Sequence, residues 1–349
     1  MARILYGVIS IGLGHAIRSR VLIEYLIKQK HKVLVVTSYG VYAYYRKYYK
    51  DVLNIEGLEI IFRNNAILNI RTFVKNLRKA SKNTYEKWVK VRRKIVEFDP
   101  EIVISDMETF TSYWAHNAGV PLISINNQSY LLYGKYDYPK KYRLSRLKAI
   151  FIIKSIMFRA KYDLVMCFPG CKIEDRTGIF QIDPVLRDEI INAKPKKMDY
   201  IFVYQSTKSY EKLIDILKRI NYKFIIYGFE KNQLVGNLIF KKFNDGREFV
   251  NDLTNSKAVI SNGGFTLISE ALHLGKPLLV VPIKKHFEQI LNALYVKENN
   301  FGEFYTDLNE NHVVEFIMNL KKYNFEKVKK WENEKAFRLL DMLIRKERP

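Results

Sequence analysis

The chain has 349 residues, of which 48% are hydrophobic; this is enough for about two domains of roughly 150 residues and excludes an intrinsically disordered protein. Its formal net charge of +23 indicates an anionic partner, such as nucleic acid, a lipid surface or a phosphate-bearing substrate. No stretch reaches the roughly 18 uninterrupted apolar residues of a membrane-spanning helix, so the sequence predicts a cytoplasmic protein.

Short β-branched runs alternate with amphipathic helical stretches along the chain, beginning with a strand that leads into a glycine loop. In the first half, strands are predicted at residues 3–9, 33–38, 58–62, 102–106 and 121–126, with helices such as 16–30 and 108–118 between them. In the second half, strands are predicted at residues 200–204, 224–228, 238–243, 258–262 and 277–282. This alternation is typical of an α/β doubly wound parallel sheet, here formed twice.

Two prolines and dense charge mark residues 183–197 as the hinge between the halves. The predicted domains are therefore residues 1–185 and 199–324, joined by a linker at 186–198. Residues 325–349 are predicted to form one charged C-terminal helix.

A glycine pair, Gly263 and Gly264, separates the strand predicted at 258–262 from a helix that starts near Phe265. This geometry directs backbone N–H groups and the positive end of the helix dipole at one point, which suits a diphosphate. Glycine is needed because a side chain would keep the backbone away from the phosphates. Thr266, in the first helical turn, adds a hydroxyl.

Further polar residues are predicted close to the same point. Glu270 is one helical turn beyond Thr266 on the same face, where it can accept both hydroxyls of a ribose. Glu288 and Gln289 begin the helix after the next strand and can reach a sugar ring. The alternative for Glu270 and Gln289 is a solvated position on a helix surface.

Ten positions in this segment keep a fixed spacing: Gly263, Gly264, Glu270, Ala271, Gly275, Pro277, Pro282, Gln289, Asn292 and Ala293. The pattern resembles the donor signature of inverting GT-B glycosyltransferases, which include UDP-glucuronosyl and plant glycosyltransferases and the peptidoglycan N-acetylglucosaminyltransferase. The resemblance implies two Rossmann-like domains facing a central cleft, with residues 1–185 binding the acceptor and 199–324 binding the donor. It also implies a C-terminal helix that crosses back to the first domain, and a nucleotide-sugar donor, by default a UDP-sugar. The same resemblance implies that Glu270 holds the ribose and that Glu288 and Gln289 hold the donor sugar.

The resemblance extends into the first half of the chain. Residues 12–15 follow the first strand like the Gly-x-Gly-His loop of these enzymes, residues 98–106 resemble their Asp-Pro-Asp-strand-Asp segment, and residues 183–187 resemble the stretch before their linker. Phe243 is predicted to lie beside the nucleobase. The predicted diphosphate-binding residues are Gly14, Ser206, Gly263, Gly264, Phe265 and Thr266.

Two departures from the family pattern lie just before the glycine pair. Many members carry His or Arg there, where this chain has Ser261 and Asn262, so the individual diphosphate contacts stay open. Retaining GT-B enzymes instead carry a Glu-x7-Glu pattern, whose first glutamate would fall at Asn262. The absence of that acid favours an inverting mechanism.

An inverting transfer needs a base for the acceptor hydroxyl, and histidine is the usual choice. His15 and Asp106 each follow or end a strand, so both lie at the carboxyl edge of the first sheet. In plant-type enzymes a histidine at this loop is oriented by such an aspartate; His15 is therefore predicted as the base and Asp106 as its orienting partner. The alternatives are that His15 contacts loop backbone or donor phosphates and that Asp106 caps the next helix.

No metal or other cofactor is predicted, because the glycine loop and helix terminus would stabilise the leaving diphosphate. The two cysteines, Cys167 and Cys171, are too few for a four-ligand metal site and are predicted to be reduced and mostly buried.

Two basic stretches in the first half suggest how an acceptor is bound. Residues 71–94 hold ten Lys or Arg and one acid, Glu86, and residues 143–161 mix Lys and Arg with large apolar residues. Such helices suit an anionic membrane surface, so the sequence predicts a lipid-linked or membrane-associated glycan as acceptor and peripheral binding to the inner face of the cell membrane. Alternatively, the apolar faces pack inward and the lysines are merely solvated.

Two other classes of protein stay open. A nucleic-acid-binding protein would use the same charge, with some of the 24 tyrosines stacking on bases, but no RNA or DNA module is recognisable and no nucleic-acid partner is expected. A non-hydrolysing UDP-sugar epimerase shares the GT-B architecture, although residues 289–292 resemble the transferases more closely.

Overall fold

The computed structural model describes residues 1–55, 62–63, 66–67, 82–206, 210–244, 246–326, 328 and 331–348. The strand predicted at 58–62 lies outside them apart from Phe62, and the basic stretch 71–94 is described only from Lys82. Within these ranges, no helix has the length and apolar character to cross a membrane.

The first half contains a seven-stranded sheet in which all neighbouring strands are parallel. The described strands of the first half are β1 (Arg3–Val8), β2 (Lys32–Thr37), β3 (Val52–Asn54), β4 (Phe62–Arg63), β5 (Ala66–Ile67), β6 (Ile102–Asp106), β7 (Leu122–Asn126), β8 (Gly134–Lys135), β9 (Tyr162–Met166), β10 (Lys172–Ile173) and β11 (Ile179–Ile182). The sheet order is β11-β9-β7-β6-β1-β2-β3, and the pairs β4–β5 and β8–β10 form short antiparallel ribbons.

The second half repeats this architecture. Its strands are β12 (Ile201–Tyr204), β13 (Phe224–Tyr227), β14 (Gln233–Val235), β15 (Leu238–Lys241), β16 (Ala258–Ser261), β17 (Leu278–Val280) and β18 (Gly302–Phe304). They form a second seven-stranded sheet in the order β14-β15-β13-β12-β16-β17-β18, parallel except for the edge strand β14. The prediction of two doubly wound α/β sheets is confirmed.

Helices connect the strands in both halves. Those in the described residues are α1 (Leu13–Lys28), α2 (Tyr39–Tyr45), α3 (Lys82–Phe98), α4 (Thr109–Ala118), α5 (Tyr130–Tyr133), α6 (Arg143–Ile156), α7 (Asp188–Ile191), α8 (Glu211–Lys218), α9 (Arg247–Asn255), α10 (Phe265–His273), α11 (Phe287–Glu298), α12 (Glu310–Met318) and α13 (Glu334–Glu347). One continuous apolar core runs through both halves and includes Tyr6, Phe202 and Leu340.

Both sheets have a point where the strand order reverses. In the first sheet β1 lies between β2 and β6, and in the second β12 lies between β13 and β16. Val8 is opposite Asp106 at the first reversal, and Tyr204 is opposite Ser261 at the second. Ligands of open α/β sheets bind outside the carboxyl ends of the strands at such points. The loops after β1, β6, β12 and β16 are therefore the expected walls of the site.

The C-terminal helix α13 contacts the first half of the chain. Tyr25 of α1 stacks on Phe337 with 3.9 Å between ring centroids, and its hydroxyl donates to Asp341 at 2.6 Å. Farther along α13, Glu347 accepts from the hydroxyl of Tyr162 in β9 at 2.6 Å. The helix thus ties the end of the chain to the first sheet and its helical layer.

The approach to α13 differs from the single helix predicted over residues 325–349, since α13 begins only at Glu334. Trp331 is buried, and the Asn333 side chain accepts from the backbone N–H of Leu186 and donates to its carbonyl oxygen. These contacts turn the chain against the linker predicted at 186–198, within which α7 forms. The domain boundaries themselves stay predictions.

Candidate active site

The N-termini of α1 and α10 meet between the two sheets. Thr266 donates its hydroxyl to the carbonyl oxygen of Gly14 at 3.2 Å, and both residues are in the first turn of their helix. Neither first turn holds an acidic residue, and the N-cap residues Gly12 and Gly264 provide no side-chain cap. The first backbone N–H groups therefore lack intrahelical partners, and the positive ends of two helix dipoles add at one place. An anion such as a diphosphate fits this environment.

The glycine pair shapes this place. Gly263 has φ of 90°, and a Cβ there would lie 3.0 Å from the carbonyl oxygen of Gln289, so both backbone conformation and space favour glycine. A Cβ on Gly264 would meet no atom within 4 Å, so this residue borders open space. The Phe265 side chain packs on Phe168 with 4.6 Å between ring centroids, which leaves only its backbone N–H for a phosphate.

Asn262 joins the loops after β12 and β16. Its Oδ1 accepts from the backbone N–H of Ser206 at 2.7 Å and from the Ser206 hydroxyl at 3.2 Å, and its Nδ2 donates to Gln205. Ser206 is exposed at this edge. The residue just before the glycine pair is therefore an amide that bridges two loops.

His15 and Asp106 come together at the carboxyl edge of the first sheet, with 2.8 Å between Nδ1 and Oδ1. Burial alone would raise the pKa of Asp106, but the Arg18 guanidinium and His15 outweigh it and hold that pKa well below its usual range. Nη2 of Arg18 also lies 2.8 Å from Nδ1 of His15 and donates to the same carboxylate. An ionised carboxylate can only accept hydrogen bonds, so Nδ1 of His15 is the donor to Asp106, and a neutral imidazole then has its lone pair on Nε2. This is the tautomer that a general base requires.

Arg18 and Ser19 belong to the same cluster, although the sequence analysis missed them. Arg18 is 2% exposed, and its Nε and Nη2 donate to the two carboxylate oxygens of Asp106 at 2.8 and 2.7 Å. The Ser19 hydroxyl donates to the same carboxylate at 3.0 Å. Arg18 follows His15 by three residues on α1, a spacing that places both on one face of the helix. This spacing could have predicted that Arg18 lies beside His15.

A different residue caps the helix that follows Asp106. The Glu108 carboxylate accepts from the backbone N–H groups of Phe110 and Thr111 at 2.9 and 2.6 Å. The alternative in which Asp106 caps α4 is therefore excluded, and its carboxylate is committed to His15, Arg18 and Ser19.

Glu270 is buried rather than solvated, and its carboxylate is already paired. It is 1% exposed, and Arg187 donates to its two oxygens from Nε at 2.7 Å and from Nη2 at 2.8 Å. Arg187 belongs to the predicted linker, so this ion pair joins the linker to α10. A ribose that binds Glu270 must share the carboxylate with Arg187 or displace it.

Phe243 lies next to this ion pair. It is half-buried and packs edge-on against Phe249 with 5.4 Å between ring centroids. The Arg187 guanidinium lies 5.7 Å from the centre of the Phe249 ring, and a Cβ on Gly246 would contact both Phe243 and Arg187. The residues predicted for the nucleobase and the ribose are therefore neighbours.

The residues predicted to hold the donor sugar have different partners. Gln289 uses its Oε1 to accept from the backbone N–H of Ile283 at 2.9 Å. Glu288 faces the first half of the chain, where its oxygens accept from Asn127 Nδ2 at 2.9 Å and Gln128 Nε2 at 3.1 Å. Asn127 and Gln128 follow β7, and no sequence pattern predicted them as site residues.

The two cysteines are not among the polar groups of the site. Cys167 is buried and Cys171 half-buried, both as free thiols, and burial raises the pKa of each. Over the part of the chain that the structure describes, no group of three or more His, Cys, Asp and Glu side chains is arranged to hold a metal ion.

A family model described as "Glycosyl transferase family 1" matches residues 2–321. The chain belongs to this family. Its activity is therefore that of a glycosyltransferase, which sets the epimerase alternative aside. A search of curated protein sequences gives no match.

Solved structures show that this glycosyltransferase has the GT-B fold. The kitacinnamycin glycotransferase is 14% identical, with a TM-score of 0.66 and coverage of 100% of this chain and 99% of that chain. A UDP-glucosyltransferase from Polygonum tinctorium is 12% identical, with a TM-score of 0.65 and the same coverage. MurG from Acinetobacter baumannii is 12% identical, with a TM-score of 0.58 and coverage of 98% and 99%. At these identities the likeness concerns the fold alone.

Proposed function

We propose that the protein transfers a sugar from a UDP-sugar to an acceptor hydroxyl, with inversion at the anomeric carbon and without a metal ion. The observation that carries this proposal is that a candidate base and a candidate diphosphate site lie close together. The His15–Asp106 pair offers a base, and the helix N-termini that meet at Gly14 and Thr266 offer a place for the leaving diphosphate.

In this mechanism, His15 Nε2 takes the acceptor hydroxyl proton while the hydroxyl oxygen attacks the anomeric carbon opposite the diphosphate. The bond from that carbon to the phosphate oxygen breaks, and its electron pair stays on the diphosphate. The first N–H groups of α1 and α10 and the Thr266 hydroxyl stabilise this charge. Asp106 stabilises the imidazolium that forms. The remaining donor contacts are proposed for Ser206, Phe243, Glu270, Glu288 and Gln289.

The choice of UDP rests on the resemblance of the donor signature and is supported by one structural neighbour, whose name is UDP-glucosyltransferase. Metal independence is supported by the groups at the proposed diphosphate site. They are N–H and hydroxyl donors, which compensate negative charge directly, whereas a bound Mg²⁺ would need oxygen ligands.

Inversion can be tested without knowledge of the acceptor, because many transferases slowly pass the donor sugar to water. We expect ¹H NMR of an α-linked UDP-sugar with the protein and EDTA to show the β-anomer of the free sugar first. The α-anomer should appear only later, through mutarotation. Initial release of the α-anomer would contradict inversion, and complete loss of hydrolysis in EDTA that Mg²⁺ restores would contradict metal independence.

The acceptor is proposed to be a lipid-linked or membrane-associated glycan, because α6 carries an exposed apolar face. Leu144, Leu147 and Phe151 are 72%, 49% and 74% exposed, and their spacing places them on one side of the helix. The exposed basic residues of the same helix are Arg143, Lys148 and Lys154. Apolar residues flanked by positive charge fit an anionic lipid surface, which on this proposal is the inner face of the cell membrane.

The inner side of α6 packs close to the proposed base. Ile153 belongs to an apolar cluster with Ile9, just after β1, and Met107, just after β6. The same cluster contains Phe287 and Leu291 of α11. A lipid-linked acceptor at the outer face of α6 would therefore be held beside the active site.

Phe151→Glu is expected to weaken binding to vesicles of phosphatidylglycerol by about tenfold, because it replaces apolar burial with a repelled charge. Co-sedimentation measures this binding. Met318→Glu is the matched control, since Met318 is 80% exposed on α12 in the second half. Equal weakening by both variants would show that net charge, and not the face of α6, determines binding.

A further inference from the structure

Gln128 connects the proposed base to the second half of the chain. Its Nε2 donates to Oε2 of Glu288 at 3.1 Å and lies 3.2 Å from Nε2 of His15, to which it donates when the imidazole is neutral with its proton on Nδ1. The residue is 7% exposed, and its Oε1 is buried with no hydrogen-bond partner among the described residues. Most buried polar atoms in proteins are paired, so this acceptor indicates a missing donor.

The orientation of the amide is fixed by its neighbours. Exchange of its oxygen and nitrogen would place Oε1 against the lone pair of His15 and the carboxylate of Glu288, both of which are acceptors. The unpaired oxygen is therefore a property of the site.

When the nucleophilic hydroxyl of the acceptor binds to His15, the hydrogen bonds of Gln128 must change. Nε2 of His15 has one lone pair, so the hydroxyl reaches it only by replacing the N–H of Gln128. Its single proton then points to His15, and none is left for Oε1 of Gln128. A second donor on the acceptor, close to the nucleophile, would satisfy this oxygen.

We propose that Gln128 is a specificity-determining residue that selects acceptors with a hydroxyl adjacent to the nucleophilic one, as in sugars and other polyols. The adjacent hydroxyl donates to Oε1, and the released N–H of Gln128 donates to the oxygen of that hydroxyl. Gln128 takes no part in the bond changes, because the proton passes directly from the nucleophile to His15. The inference deepens the proposed function and rests on it.

Hexane-1,2-diol and hexan-1-ol test this selection, because they share a chain and differ in the adjacent hydroxyl. For each alcohol, the ratio of transfer to hydrolysis is measured with the UDP-sugar that the full chain hydrolyses fastest. Because transfer and hydrolysis both start from the protein with bound donor, differences in donor binding cancel in this ratio. We expect the wild-type ratio to favour the diol by about three- to tenfold, the effect of one or two hydrogen bonds.

Gln128→Met keeps the length of the side chain and removes its polar atoms, so we expect this variant to treat the two alcohols alike while its affinity for UDP is unchanged. Gln233→Met is the matched control on exposed β14 and should keep the wild-type preference. Equal wild-type ratios, or a preference that survives Gln128→Met, would overturn the inference. If Gln128→Met does not fold, equal wild-type ratios for the two alcohols would still overturn the inference. Absence of UDP binding and donor hydrolysis in the wild-type protein would instead refute the proposed function, and the inference with it.

Discussion

Replacing His15 with alanine is expected to lower kcat for sugar transfer by a factor of about 10²–10⁴, the usual contribution of a general base. The lone pair on Nε2 is the group that is lost, and Asp106 keeps its ion pair with Arg18. The affinity for UDP should not change, because the donor contacts are made by the helix N-termini and the second half of the chain. Steady-state kinetics and calorimetry on the same preparation separate the two effects.

His116→Ala is the matched control for this variant. His116 is exposed near the end of α4, away from the carboxyl edge of the sheet where α4 begins. Its loss should leave transfer intact. If His15→Ala retained full transfer activity, His15 would not be the base; if it lost UDP binding instead, the alternative in which His15 contacts the donor phosphates would be correct.

Glu270→Ala is expected to abolish UDP binding and also to lower the free energy of unfolding by about 3–5 kcal/mol. The second effect arises because Arg187, whose side chain is only 11% exposed, would lose its partner and remain a buried, unpaired charge. The sequence alone predicts only the loss of binding. Urea denaturation with calorimetric titration of UDP measures both effects.

The double variant Arg187→Met/Glu270→Leu distinguishes the two roles of Glu270. Replacing a buried ion pair by apolar side chains is often neutral for stability, so we expect the double variant to unfold near the wild-type urea concentration. It should still fail to bind UDP, because the ribose has lost its carboxylate. Wild-type affinity in the double variant would exclude Glu270 as the ribose ligand. A stability loss below about 1 kcal/mol in Glu270→Ala would show that the ion pair is energetically unimportant.

The strands at the centre of each sheet could be predicted from the sequence because both of their faces are buried. Such strands are continuous apolar runs, and the runs at 102–106 and 258–262 correspond to β6 (Ile102–Asp106) and β16 (Ala258–Ser261). The edge strands β3, β11, β14 and β18 were missed, and so was β9 beside an edge. The strand β9 (Tyr162–Met166) follows directly on the basic and apolar stretch 143–161, where α6 ends at Ile156 and no composition change marks the boundary.

The candidate site could be predicted where its residues follow strands in a recognisable spacing. His15 and Asp106 are 91 residues apart in the chain, but the parallel order of β1 and β6 places both at one sheet edge. Their contact is observed, whereas their catalytic roles stay predictions. Arg187 and Gln128 could not be found in this way, because their importance depends on partners 83 and 160 residues distant and not on local pattern.

Calorimetric titration of the wild-type protein with UDP, GDP, ADP and TDP tests the central claim most directly, because every proposed step requires a nucleoside diphosphate between the N-termini of α1 and α10. We predict saturable, one-to-one binding of UDP and much weaker binding of the other three nucleotides. Failure of all four to bind would contradict the proposed donor site and, with it, the assignment of His15 as a base that acts beside it.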